Sequence, residues 1–277
     1  MSQYFGIDFS GDHRQWIPGR SKSNIWIAEV RLRAKKPKLH DLCRVQDLRG
    51  DDAPFRRLVR LLAGRGFAAA GIDAPFSVPR KYIPHGEHLK LIQLVASIPH
   101  AHHRFFPSAL DFFRAVSGQN PPLNPPQPLR ATETYWKDRN LNVRSTLWAG
   151  PRGGAAMTSA CLKLLHEIAG PMWPWVQTGE KGLLVEAFPM AQLYHWGMAF
   201  QKYSSHDAQA IKAREKILAG LVARIDLDGF HPVLRRSADA LDAVICAFAA
   251  IAVTKGDIAV PPGPTASLEG WIAVHAR

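Results

Sequence analysis

Several carboxylates stand where this sequence would otherwise be buried. Asp8 ends the segment FGID, Asp73 ends AAGID and Glu186 ends LLVE, and a strand-breaking residue follows closely each time. Asp239 and Asp242 lie three positions apart in ADALDAVICAFAAIAV, on one face of a nearly all-apolar predicted helix. Burying an unpartnered charge costs several kcal/mol. One divalent cation satisfies several such acids together, because hard cations bind oxygen ligands.

Each acid also has an explanation that involves no metal. Asp8 and Asp73 are of a residue type favoured in turns. Glu186 is of a type uncommon in strands and can form an ion pair with an arginine instead. Asp239 can lie in the first turn of a helix, where a negative charge stabilises the helix dipole. Asp242 lies one turn deeper and is harder to explain, so the five acids together favour a metal site more than any one of them does.

The chain is strongly basic, with 35 Lys and Arg against 23 Asp and Glu and a formal net charge of +12. This charge fits nucleic-acid binding, and it equally fits an arginine-rich protein without a polyanionic partner. The candidate phosphate contacts are Arg80, Lys81, Arg139, Arg144 and Arg152. Arg152 precedes a predicted helix start, where free backbone N–H groups favour anions. A solvated surface position explains each of these residues as well.

Composition restricts the class of protein. A hydrophobic content of 47% and a charged content of 21% are ordinary for a globular protein with a core. The longest apolar run carries Asp242 and is too short and polar for a membrane span, and the first residues do not resemble a signal peptide. Three widely spaced cysteines form no C-x-x-C pair. We therefore expect no membrane association and a reducing, cytoplasmic location.

Hydrophobic patterning predicts an α/β fold. QYFGIDFS, NIWIAEVRLR and, more weakly, KLHDLCRVQDL are predicted as strands joined by turns, and hence antiparallel. FAAAGIDAP and GLLVEAFP are predicted strands separated by helices, and hence parallel. Residues 76–180 differ in composition from the segments before them. This difference predicts a helical, Pro-rich insertion within a single domain of residues 1–277. Lys212 and Arg214 fall on an amphipathic helix whose outer face we expect to be solvated, although one of them could reach the site.

Five short segments resemble, in order, the domain of unknown function 429 family, whose members are predicted nucleases of the ribonuclease H-like superfamily. The segments are GIDFSG, GIDAPFSVP, VEAFP, ADALDAVICAFAA and EGWIAV. The resemblance implies a ribonuclease H-like mixed sheet flanked by helices, with its first three strands antiparallel. It also implies a divalent-metal site formed by Asp8, Asp73, Glu186, Asp239 and Asp242.

The expected function is a nuclease, a Mg²⁺- or Mn²⁺-dependent hydrolase of phosphodiesters in nucleic acid. Two ions are expected, and Asp8, Asp73, Glu186 and Asp242 are the expected catalytic residues. One alternative is a non-catalytic nucleic-acid-binding or regulatory module on the same fold. Another is an actin-like phosphotransferase, whose first strand also ends in Asp before a Gly. That fold requires a second, related half, and the sequence shows no second Asp-x-Gly segment in such a half.

Overall fold

A five-stranded mixed sheet lies at the centre of the fold. The computed structural model describes residues 2–20, 23–33, 36–101, 104–120, 128–150, 153–176 and 179–276. The strands are β1 (Gln3–Asp8), β2 (Trp26–Arg31), β3 (Lys38–Arg44), β4 (Ala69–Asp73) and β5 (Leu183–Glu186), in the order β3-β2-β1-β4-β5. The β1–β2 and β2–β3 pairs are antiparallel, and the β1–β4 and β4–β5 pairs are parallel. The predicted α/β class and the mixed sheet are thus confirmed.

Helices cover both faces of the sheet. They are α1 (Pro54–Ala63), α2 (His88–Ser97), α3 (Ala109–Ser117), α4 (Ala131–Lys137), α5 (Gly154–Ile168), α6 (Pro189–His195), α7 (Ala208–Leu221), α8 (His231–Arg236), α9 (Ala238–Lys255) and α10 (Ala266–Glu269). Helices α2 to α5 lie between β4 and β5, where the sequence predicted a helical insertion. Residues 121–127 of its Pro-rich run lie outside the described residues.

The strand side chains pack in two buried cores, one on each face of the sheet, because successive side chains of a strand point to opposite faces. Phe5, Ile7 and Ile72 pack in the core that contains α1, α2, α3 and α5. Tyr4 and Ala69 pack in the core that contains α9. No helix in the described part of the chain is long and apolar enough to cross a membrane.

Helix α9 lies directly on the sheet backbone. A Cβ atom on Gly6 would stand 1.9 Å from the carbonyl oxygen of Ala243, and one on Gly71 would stand 1.9 Å from that of Cys246. Both distances are far below van der Waals contact. The two glycines therefore allow α9 to approach β1 and β4 more closely than any side chain would permit.

We predict that Gly71→Ala lowers the free energy of unfolding by about 1–3 kcal/mol, because the added methyl group forces α9 away from β4. Denaturant unfolding of the purified protein measures this change. Gly66→Ala is the matched control, since a Cβ atom there meets nothing within 4 Å. Equal stability of the two variants would contradict the close packing of α9 on the sheet.

Candidate functional site

Asp8 and Asp73 lie side by side at one edge of the sheet. They are the last residues of β1 and β4 and are paired in parallel register. Each lies two positions after the glycine on which α9 packs, so both side chains project from the face that α9 covers. Parallel pairing thus brings together two carboxylates that are far apart in the chain.

Asp239 and Asp242 approach the same place from α9. Asp239 lies one turn before Ala243, the residue over Gly6, and Asp242 lies one turn before Cys246. One helical turn advances a similar distance to two strand residues, about 6 Å. The first turns of α9 therefore lie over the strand ends that carry Asp8 and Asp73.

Burial and repulsion from neighbouring aspartates raise the pKa values of Asp8 and Asp242. Burial, and then repulsion from Asp242, Asp239 and Asp73, hold the pKa of Asp8 well above its ordinary value. Burial and repulsion from Asp73 do the same for the pKa of Asp242. Water still reaches these side chains, which are half-buried, so the group lies in a recess surrounded by protein atoms.

Asp8 and Asp73 lack a stabilising partner among the described residues. No hydrogen bond or salt bridge to either side chain is formed there. Burial, and then repulsion from Glu186, raise the pKa of Asp73 to about 7. Acids in turns normally accept backbone hydrogen bonds. The lack of such bonds means that a turn role does not account for these two carboxylates.

Tyr203 and Arg214 support Asp242. The Tyr203 hydroxyl donates a hydrogen bond of 2.8 Å to Asp242 Oδ1. Arg214, only 1% exposed, donates to the carbonyl oxygens of Tyr203, Ser205 and Arg235 and so fixes the segment that carries Tyr203. The predicted solvated position is therefore wrong for Arg214. The available signal was its helical spacing from Ala210, Ile217 and Leu218, which are buried on the same face of α7.

Glu186, the last residue of β5, is bound by an arginine. Arg130 Nη1 donates to Glu186 Oε2 at 2.8 Å, and Arg130 Nη2 donates to Oε1. The backbone N–H of Phe76 also donates to Oε2, at 3.1 Å. The ion pair that was one of the two sequence-based explanations of Glu186 is present. Its metal-binding role stays a prediction.

Arg130 serves more than one buried acid. Its Nε donates to Glu133 Oε1 at 3.1 Å, and Glu269 accepts the backbone N–H groups of Ala131 and Arg80 nearby. Arg130 is 1% exposed, and Glu133, Glu186 and Glu269 are all buried. Burial raises the pKa of Glu133 to about 7 against the opposing effect of Arg130. This network anchors the end of β5 beside Asp73.

One predicted phosphate contact lies near the aspartates. Arg144 lines a cavity of about 240 Å³, which Asp73 and Glu186 also line. Arg80, Lys81 and Arg139 are not among the residues around this cavity, and the side chains of Lys81 and Arg139 stack on tyrosine rings. Arg152 lies outside the described residues.

The aspartates match a divalent metal in donor type. Carboxylate oxygens are the ligands that Mg²⁺ and Mn²⁺ prefer. Among the described residues, no three His, Cys, Asp or Glu side chains are grouped closely enough to hold one ion. Mg²⁺ usually takes one or two carboxylates and keeps several waters. The partnerless, mutually repelling acids fit an ion bound in that way.

A protein-family model described as "Protein of unknown function (DUF429)" matches residues 26–266. The chain belongs to the DUF429 family. The match includes Asp73, Glu186, Asp239 and Asp242 and begins after Asp8. No curated protein and no solved structure matches this DUF429 protein.

The raised pKa of Asp73 predicts that stability without metal falls as the pH rises. Between its ordinary value of 3.8 and about 7, the folded state holds a proton that the unfolded state has released. Raising the pH through this window therefore lowers the free energy of unfolding. Asp73→Asn should flatten this dependence and stabilise the protein at pH above about 7.

Denaturant unfolding in EDTA across this pH range measures the effect. The matched control is Asp257→Asn, which removes an exposed carboxylate elsewhere. The prediction fails when Asp73→Asn and wild type have the same pH dependence.

Removing Arg130 should destabilise the protein strongly. Arg130→Met leaves buried carboxylates without their cation, a change that typically costs about 3–5 kcal/mol. Adding Glu186→Gln should restore part of that loss, because it removes one of the uncompensated charges. Chemical denaturation of the single and double variants tests this. A double variant less stable than Arg130→Met alone would show that the pairing is not the main role of Arg130.

Proposed function

We propose that this DUF429 protein is a hydrolase of phosphodiesters in nucleic acid and depends on Mg²⁺ or Mn²⁺. One observation carries the proposal: four aspartates from three elements converge at one edge of the sheet, and Asp8 and Asp73 have no hydrogen-bond or ion-pair partner among the described residues. A folded protein keeps such repulsion where function requires it. The net positive charge of the chain supports a polyanionic substrate.

The sheet supports the finer, ribonuclease H-like assignment. Its first three strands pair antiparallel, and β4 then pairs parallel to β1. This is the arrangement that the sequence resemblance implies. The candidate acids stand at the ends of β1 and β4 and on the helix that packs over both strands.

The candidate side chains have different roles in the proposed reaction. Asp8 and Asp73, which have no partner among the described residues, would hold the cation together with its waters, with Asp242 and Asp239 beside them. A bound divalent ion supplies Lewis-acid stabilisation of phosphoryl oxygens and lowers the pKa of its water. The Tyr203 hydroxyl holds one oxygen of Asp242 in place. Two ions, with Glu186 as a further ligand, remain the expectation from the resemblance.

A non-catalytic nucleic-acid-binding module is the second candidate. The observation that favours it is the binding of both Glu186 oxygens by Arg130, which engages one expected metal ligand. The actin-like phosphotransferase has the least support, because the described strands form one sheet without a second, related half.

Asp8→Asn should separate stability from metal binding. In EDTA above neutral pH the variant should unfold at the same temperature as wild type or higher, because one repelling charge is gone. With Mn²⁺, wild type should gain stability, about 2.7 kcal/mol at one hundred times the dissociation constant. The variant should lose most of that gain, and the Asp257→Asn control should keep it. Thermal unfolding measures all three proteins.

Cleavage of labelled DNA and RNA with and without Mn²⁺ then tests the chemistry. Metal-dependent cleavage that disappears in Asp8→Asn supports the hydrolase. A wild type that binds metal and nucleic acid without cleaving either substrate would favour the binding module. Full cleavage by Asp8→Asn would refute the proposed site.

A further inference from the structure

A second recess is lined by Asp239, one of the four aspartates. This recess, the Asp239 cleft, has a volume of about 590 Å³. Its lining includes the basic residues Arg20, Arg44, Arg236 and His206, the acids Asp47 and Asp239, and Ser237. Asp73 lines the first cavity and Asp239 lines this cleft, so each recess contacts one of the four aspartates. None of these basic residues was among the sequence-based candidates.

Arg44 is held as an open donor group in this cleft. Its guanidinium stacks over the Trp26 ring, 4.9 Å from the ring centroid. Among the described residues, its buried Nε–H has no hydrogen-bond partner and the side chain forms no salt bridge. A stacked guanidinium is pre-organised for phosphate oxygens, because its planar fork of donors is already fixed.

Two further features make the cleft attractive to anions. Helix α9 has 18 residues and begins here, with its N-cap Ser237 in the cleft wall. The N-terminus of a helix carries positive potential and free N–H groups. Arg236, at the end of α8, is exposed beside it.

We propose that the Asp239 cleft binds the phosphate backbone of a nucleic-acid strand next to the phosphate that is cleaved, with Arg44 and Arg236 as phosphate contacts. The choice of nucleic acid rests on the proposed function. The cleft far exceeds one phosphate group in size and falls within the range of ligand-binding pockets. Asp239 repels anions, so it marks the boundary at which the strand passes from the basic cleft to the metal-binding acids.

The test measures the binding of a labelled single-stranded oligonucleotide by fluorescence anisotropy. EDTA is present so that no metal-dependent cleavage occurs. Arg44→Gln and Arg236→Gln should each weaken binding. Each should also reduce the slope of log K against log salt by about 0.7, the value for one lost phosphate contact on a single strand. Arg114→Gln, an equal charge change on the exposed side of α3, should change neither.

Two results would overturn the proposal. One is binding by both cleft variants that equals that of wild type and Arg114→Gln. The other is displacement of the oligonucleotide by inorganic phosphate or a nucleoside monophosphate as effectively as by unlabelled oligonucleotide, which would assign a small phosphate ligand. Arg236 is exposed, so Arg236→Gln keeps the test decisive even if Arg44→Gln unfolds.

The experiments distinguish a failure of the cleft proposal from a failure of the proposed hydrolase function. Weakened binding by the two variants, with no metal-dependent cleavage by wild type, would keep the cleft and remove the catalytic function. Cleavage by wild type with unchanged binding in both variants would keep the hydrolase and remove the cleft.

Discussion

The candidate site depends on the direct contact between α9 and the sheet backbone. Gly6 and Gly71 have no side chain at the two points where Ala243 and Cys246 of α9 pack against them. One helical turn and two strand residues cover similar distances. The contact therefore sets carboxylates of α9 against the strand-end carboxylates, and a larger residue at either glycine would separate them.

The acids around this contact form two groups with different electrostatics. Glu133, Glu186 and Glu269 surround Arg130 and accept hydrogen bonds, which offset part of the cost of their burial. Asp8 and Asp73 have no such partner among the described residues, and burial and repulsion from neighbouring acids raise their pKa values. Arg130 stabilises the first group and the end of β5. The second group stays destabilised at neutral pH, which is the condition that a divalent cation relieves.

The position of this acidic group fits the proposed substrate. Asp73 lines one cavity and Asp239 lines the basic cleft. A phosphodiester chain in the cleft would have its charge balanced by arginines on one side and by a bound cation at the acids. Membership of the DUF429 family gives no activity to this chain. The proposal therefore stands on the arrangement of these residues.

The sequence by itself determined the elements and the positions of the acids along them. These features are local patterns: strand alternation, the apolar helix α9 and the carboxylates at strand ends. They can be recognised in the sequence because helices and strands have different periods of side-chain direction. Helices α2 and α3 were predicted only as part of the helical insertion over residues 76–180. The tertiary structure alone decided the partners: Arg130 for Glu186, Tyr203 for Asp242, and Arg44 on Trp26. These contacts join residues far apart in the chain, and local periodicity carries no information about them.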